Sequence, residues 1–158
     1  MYNLGDYVVC PGHGVGQVVG SETKETSEGI QTEYYLIKLV SNGMRMMIPK
    51  ESKEGVRALV TSSEVEEVFK LLGNHDVKVD NSTWNRRQRD YVGKLKTGSL
   101  LEIADVLRSL LLLKVSKKLS FGEKKMLDQC KELLIQEIAL AKGDEAKQVD
   151  SKIESCFS

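Results

Sequence analysis

Histidine, proline and cysteine are all scarce in this chain, at two, two and three residues out of 158. Cys10, Cys130 and Cys156 are odd in number and far apart, which excludes a disulfide framework and reads as reduced thiols. Cys10 precedes His13 in Cys10-Pro11-Gly12-His13-Gly14, but no second ligand pair stands near, so neither a metal site nor a nucleophile is expected. Long apolar runs are missing too. The longest, Leu110 to Leu113, falls far short of the roughly 20 residues that span a bilayer. No cationic, apolar signal segment opens the chain, and a cytoplasmic protein without a membrane partner is expected.

Catalytic signatures are equally thin. No carboxylate pair, triad spacing or phosphate loop stands out, and Gly12-x-Gly14-x-Gly16 is too short for a nucleotide fingerprint and lacks its helix. An enzyme, a cofactor and a small-molecule substrate are therefore not expected. Nor is a reader of methylated side chains, since the first half offers only Tyr2, Tyr7, Tyr34 and Tyr35 for an aromatic cage. What remains is ordinary globular material, 41% apolar and 29% charged, with 23 basic and 23 acidic residues in balance.

The two halves differ in period, and an α+β protein of two domains, 1–60 and 61–158, is expected. Both prolines, Pro11 and Pro49, and eight glycines fall in the first part. Tyr7–Cys10, Val15–Val19, Glu33–Ser41 and Met44–Pro49 read as short strands, together a small SH3- or Tudor-like β-barrel. Asn42-Gly43 is a strong signal for a two-residue type I′ turn. Such a turn would pair Leu39 with Met46 and Ile37 with Ile48 on a core face. The opposite face would then carry Leu36, Lys38, Val40, Arg45, Met47 and Pro49. Pro49 lacks the ladder N–H and marks an edge strand, whose outward apolar groups suit docking of another protein. The alternative is that the rest of the chain covers this face.

Past residue 61 the spacing is helical. Thr61-Ser62-Ser63-Glu64 opens a short helix to Leu72, and Ser99-Leu100-Leu101-Glu102 and Ser120-Phe121-Gly122-Glu123 read as capping boxes. Val65, Val68, Phe69 and Leu72 form one core stripe. Ile103, Val106, Leu107, Leu110 and Leu111 form a second. Leu127, Cys130, Leu134, Ile138 and Ala141 form a third, ended by Gly143, and Val149, Ile153 and Phe157 a short last one.

The segment Thr83–Lys96 stands apart. It holds the only tryptophan, and five Arg or Lys residues against the single Asp90. In a chain of zero net charge this is a concentrated surplus. An aromatic beside a basic helix is the chemistry of a DNA wedge, with Trp84 against a base step and Arg86, Arg87, Arg89 and Lys94 on phosphates. Trp84, Gln88, Tyr91 and Leu95 lie within about 60° of one another on a helical wheel, so a buried Trp84 is the competing reading. Asn81, Ser82 and Thr83 are N-cap candidates, which puts Trp84 in the first turn, where a side chain can project past the helix end.

Several ordered motifs carry a resemblance. These are Tyr7-Val8-Val9-Cys10-Pro11-Gly12-His13-Gly14-Val15-Gly16, Asn42-Gly43-Met44-Arg45-Met46-Met47-Ile48-Pro49, and Thr83-Trp84-Asn85-Arg86-Arg87. Lys96-Thr97-Gly98-Ser99, the stretch Glu102–Arg108, and Leu119-Ser120-Phe121-Gly122-Glu123-Lys124-Lys125-Met126-Leu127 follow in the same order. From about residue 3 to 157 the chain resembles the CarD/CdnL family of bacterial transcription factors. The resemblance implies a Tudor-like RNA polymerase interaction domain that binds the β subunit. It also implies a helical domain that contacts promoter DNA at the upstream edge of the bubble, near the −10 element, where a tryptophan wedges into the minor groove and stabilises the open complex. Carried over, Trp84 is the wedge and Arg86 and Arg87 its neighbouring contacts. Met47 and Pro49 match polymerase-contacting positions, beside Leu36 and Arg45, and Lys24 matches a basic contact in a loop of different length. The rival is a non-enzymatic adaptor with Trp84 in the core and no DNA contact.

Overall fold

The computed structural model describes residues 2–51, 55–78 and 82–157. The chain divides into two compact units, one ending at Leu59 and the other beginning at Val60.

The first unit is an antiparallel sheet of five strands: β1 (Tyr7–Cys10), β2 (Gly14–Glu25), β3 (Gln31–Leu39), β4 (Arg45–Pro49) and β5 (Arg57–Ala58). Their spatial order is β4-β3-β2-β1-β5, so the strand ending in Pro49 is an edge strand. Val8, Cys10, Val18, Tyr35, Ile37 and Leu39 form its core, with Met46, Ile48 and Val56 packed alongside. β2 approaches β3 closely at Gly16, where an added Cβ would lie 2.4 Å from Ile37 Cγ2. Only glycine fits there. A register shift between Val18 and Gly20 makes a bulge and allows β2 to run much longer than the sequence pattern implied.

The hairpin register differs from expectation by two residues. Ile37 pairs with Met46, Leu36 with Met47, Tyr34 with Pro49 and Lys38 with Arg45. The physical reason is at the turn. A type I′ turn needs positive φ at both central residues, but only Gly43 adopts it, at 71°, and no non-glycine residue in the described chain does. The loop widens instead: Gly43 N–H donates to Leu39 O at 2.9 Å and Leu39 N–H to Met44 O at 2.8 Å. Asn42 Oδ1 accepts from Met44 N–H at 2.9 Å. Because side chains alternate with period two, a slip of two residues leaves every side chain on its expected face.

The second unit holds five helices: α1 (Ser62–Gly73), α2 (Trp84–Lys96), α3 (Leu100–Ser116), α4 (Phe121–Lys142) and α5 (Ala146–Ser155). Thr61–Glu64 and Ser120–Glu123 form complete capping boxes, while at Ser99 only the hydroxyl-to-Glu102 N–H half is made. Gly143 ends α4 in the left-handed conformation, φ 70°. α3 is the hub. Leu100, Ile103, Ala104, Val106, Leu107, Leu110 and Leu113 are buried on several of its sides, because α1, α2 and α4 all pack on it. Arg108 on α3 reaches the end of α1, donating at 3.2 Å to Leu71 O, which also accepts the Asn74 N–H of the helix cap. Buried Glu137 accepts from Val60 N–H at 2.9 Å and fixes where this unit begins. No helix among the described residues is long and apolar enough to cross a membrane.

Candidate nucleic-acid interface and docking face

Thr83 caps α2 in extended conformation but makes no side-chain cap hydrogen bond, and the first turn contains no acid. Asn81, one of the cap candidates, lies outside the described residues. Trp84 is the first helical residue and is half-buried. Its ring lies against the backbone of Gly122 at the start of α4, so closely that a Cβ on Gly122 would come within 3.0 Å of Nε1. Tyr91, one face further along α2, tilts toward the indole at 6.2 Å between centroids.

The buried stripe of α2 is Arg87, Tyr91 and Leu95, with Gln88 exposed. This corrects two expectations. Arg87 is 3% exposed and is not available to a phosphate. Its Nη2 donates to Glu123 Oε2 at 2.9 Å and its Nε to Ser82 O at 3.0 Å, while the guanidinium stands 5.3 Å from the Trp84 ring centroid. Gln88 is displaced from the core because the buried position one residue earlier has a charged partner waiting for it.

Glu123 is the most heavily used carboxylate in the protein's described residues. It closes the capping box on Ser120 N–H at 2.9 Å, receives Arg87, and draws Lys117 Nζ to 3.7 Å. Burial pushes its pKa up, but the Ser120 hydrogen bonds and Arg87 overcome this and bring it down from 4.5 to about 2. Its role in the capping box was legible in the sequence. Its second partner, 36 residues away, was not.

The other cations divide cleanly. Arg86 and Arg89 are exposed and make no ion pair among the described residues. Lys94 is half-exposed and hydrogen-bonded to Asp105, which also receives Arg108 at 2.7 Å. Lys94 thus already has a carboxylate partner, while Arg86 and Arg89 face solvent on the same helix.

On the first unit, the outward face of β3 and β4 carries the cross-strand pairs Leu36–Met47, Tyr34–Pro49 and Lys38–Arg45. Met47 is 37% exposed, Leu36 half-buried, and Arg45 and Pro49 exposed. Lys24 pairs with Thr32 at the far end of β2, and the pairing parity puts it on this same face. Cys10 points the other way, and burial pushes its thiol up to about 11, which leaves it a poor nucleophile.

The chain thus joins a five-stranded sheet whose β4 edge carries Met47 outward to a helical unit with a half-buried Trp84 at the start of α2. Residues 2–60 match the model of the CarD-like/TRCF RID domain, an RNA polymerase interaction type, and residues 67–154 match the CarD C-terminal domain. The chain belongs to the CarD family and is a transcription regulator of that kind. It is similar to YdeB, a candidate transcription factor of Bacillus subtilis (strain 168), at 34% identity over 153 residues, covering 96% of this chain and 99% of that one.

Removing one partner of the buried pair strands the other charge. Arg87→Ala or Glu123→Ala is expected to cost about 3–5 kcal/mol, and the volume-matched double change Arg87→Met with Glu123→Leu far less. Since the Glu123 pKa is lowered by folding, its contribution is full above about pH 4.5 and disappears as pH falls toward about 2. Urea melts between these pH values should show a steeper stability loss in wild type than in Glu123→Gln.

Proposed function

We propose that this chain docks on the β subunit of bacterial RNA polymerase and stabilises the promoter open complex by wedging Trp84 into the minor groove near the −10 element. The observation that carries this reading is the combination at the start of α2. A large aromatic ring is seated against the Gly122 backbone, on a helix whose Arg86 and Arg89 are exposed and make no ion pair among the described residues. Docking uses the outward face of the β3–β4 hairpin, where Leu36 and Met47 supply apolar contact and β4 offers an unpaired edge. Arg45, Pro49 and Lys24 border the same surface.

The energetics suit a tethered binder. Two free arginines give a salt slope near −0.9 each, so DNA binding by the free chain is weak at physiological salt. Docking raises the effective concentration to about the mM range and makes the weak contact sufficient. An aromatic stacked on a base is worth about 1–3 kcal/mol by alanine substitution, about a five- to 150-fold shift in the opening equilibrium. No bond-making chemistry is required.

The adaptor reading has one observation in its favour. The Trp84 indole also touches the helical core, through Tyr91. The two readings separate by mutation. Trp84→Ala should keep polymerase binding and helical circular dichroism while shortening open-complex lifetime about fivefold or more. Met47→Ala should do the reverse, weakening capture of the β subunit. An unchanged lifetime with Trp84→Ala favours the adaptor.

A second measurement tests the cations. Arg86→Ala with Arg89→Ala should flatten the log–log salt dependence of promoter binding by up to about 1.8. Arg87→Met with Glu123→Leu should leave that slope where it is.

A further inference from the structure

The α3–α4 corner has a surface that the wedge does not account for. Phe121, the first residue of α4, is 84% exposed, and Val115 across the turn is 83% exposed. Nothing in the fold requires an aromatic at Phe121, because Ser120 and Glu123 already cap the helix. The surrounding charge is mostly of one sign, with Asp128 the exposed exception. Lys114, Lys117, Lys118, Lys124 and Lys125 are all exposed, and the one acid between them, Glu123, is buried against Arg87. An open groove of about 590 Å³ is lined by Lys114, Lys117, Lys118 and Lys124 together with Val115, Leu127 and Asp128. The corner is continuous with the start of α2, since Phe121 precedes the Gly122 backbone on which the Trp84 ring rests.

We propose that Phe121 is a second aromatic contact, stacking on an unpaired base of the strand that Trp84 helps to open, while the corner lysines follow that strand's backbone. This deepens the wedge reading and rests on it. An exposed ring cannot enter a closed duplex without unstacking a base step, whereas an unpaired base offers its face free of that cost. The lysines supply attraction that is indifferent to sequence. An acidic protein surface would meet the charge equally well, but it would not call for a lone, nearly fully exposed ring beside the wedge.

The test compares the full-length chain with Phe121→Ala and Phe121→Tyr. Anisotropy titrations at low salt would use a fluorescein-labelled 20-mer strand and the same sequence as a duplex. Phe121→Ala should weaken single-strand binding about fivefold or more and leave duplex binding close to wild type, and Phe121→Tyr should restore it. Thermal melting should be unchanged, because the side chain is exposed. Equal losses on strand and duplex, or no loss on the strand, overturn the proposal. So does a variant whose only defect is weaker binding to polymerase without DNA. Trp84→Ala tested in parallel separates the levels. If it shortens open-complex lifetime while Phe121→Ala leaves strand binding intact, only the second contact fails. If neither variant has an effect, the wedge reading fails as well.

Discussion

The helical unit is organised around one buried ion pair, Arg87 with Glu123, which joins the beginning of α2 to the beginning of α4. Both side chains are almost completely buried, so each charge would be very costly alone. Two further hydrogen bonds offset part of that cost, since Ser82 O accepts from Arg87 Nε and Ser120 N–H donates to Glu123, while Arg87 Nη1 stays buried without a hydrogen-bond partner among the described residues. Its value lies in geometry more than in stability. By fixing the two helix starts against each other, it holds the Trp84 ring on the Gly122 backbone and leaves Arg86 and Arg89 pointing to solvent.

That arrangement gives four of the five basic side chains of one short helix different tasks. Arg87 is structural, Lys94 belongs to the Asp105–Arg108 cluster that ties α2 to α3, and Arg86 and Arg89 keep their charge for a partner. A binding surface with few free cations, on a chain of zero net charge, fits a regulator that acts only where a second contact brings it. In the first unit, the apolar pair Leu36–Met47 beside an unpaired edge is well suited to be that second contact.

Much of this was legible in the sequence, for local reasons. Thr61–Glu64 and Ser120–Glu123 announce their helices because capping chemistry spans only three residues. Pro49 announces an edge because it lacks a donor, and alternation placed Met47 outward even though the hairpin register slipped. Asn42 was the weak point: its identity permits a left-handed conformation but does not impose one. β5, two residues long, leaves no pattern to detect. The choice between Arg87 and Gln88 for the core was illegible, because helical spacing admits either and the deciding carboxylate comes from another helix. The requirement for glycine at 122 is likewise visible only once the indole is in place.

The most direct test of the account is open-complex lifetime with Gly122→Ala, monitored together with the emission of the single tryptophan. The variant keeps Trp84, Arg86, Arg89 and the whole docking face, but its new methyl group stands 3.0 Å from the indole Nε1, tight enough that the ring must shift. The account predicts a shifted emission spectrum, normal polymerase binding, and a lifetime shorter than that of wild type. A displaced ring with an undiminished lifetime would contradict it.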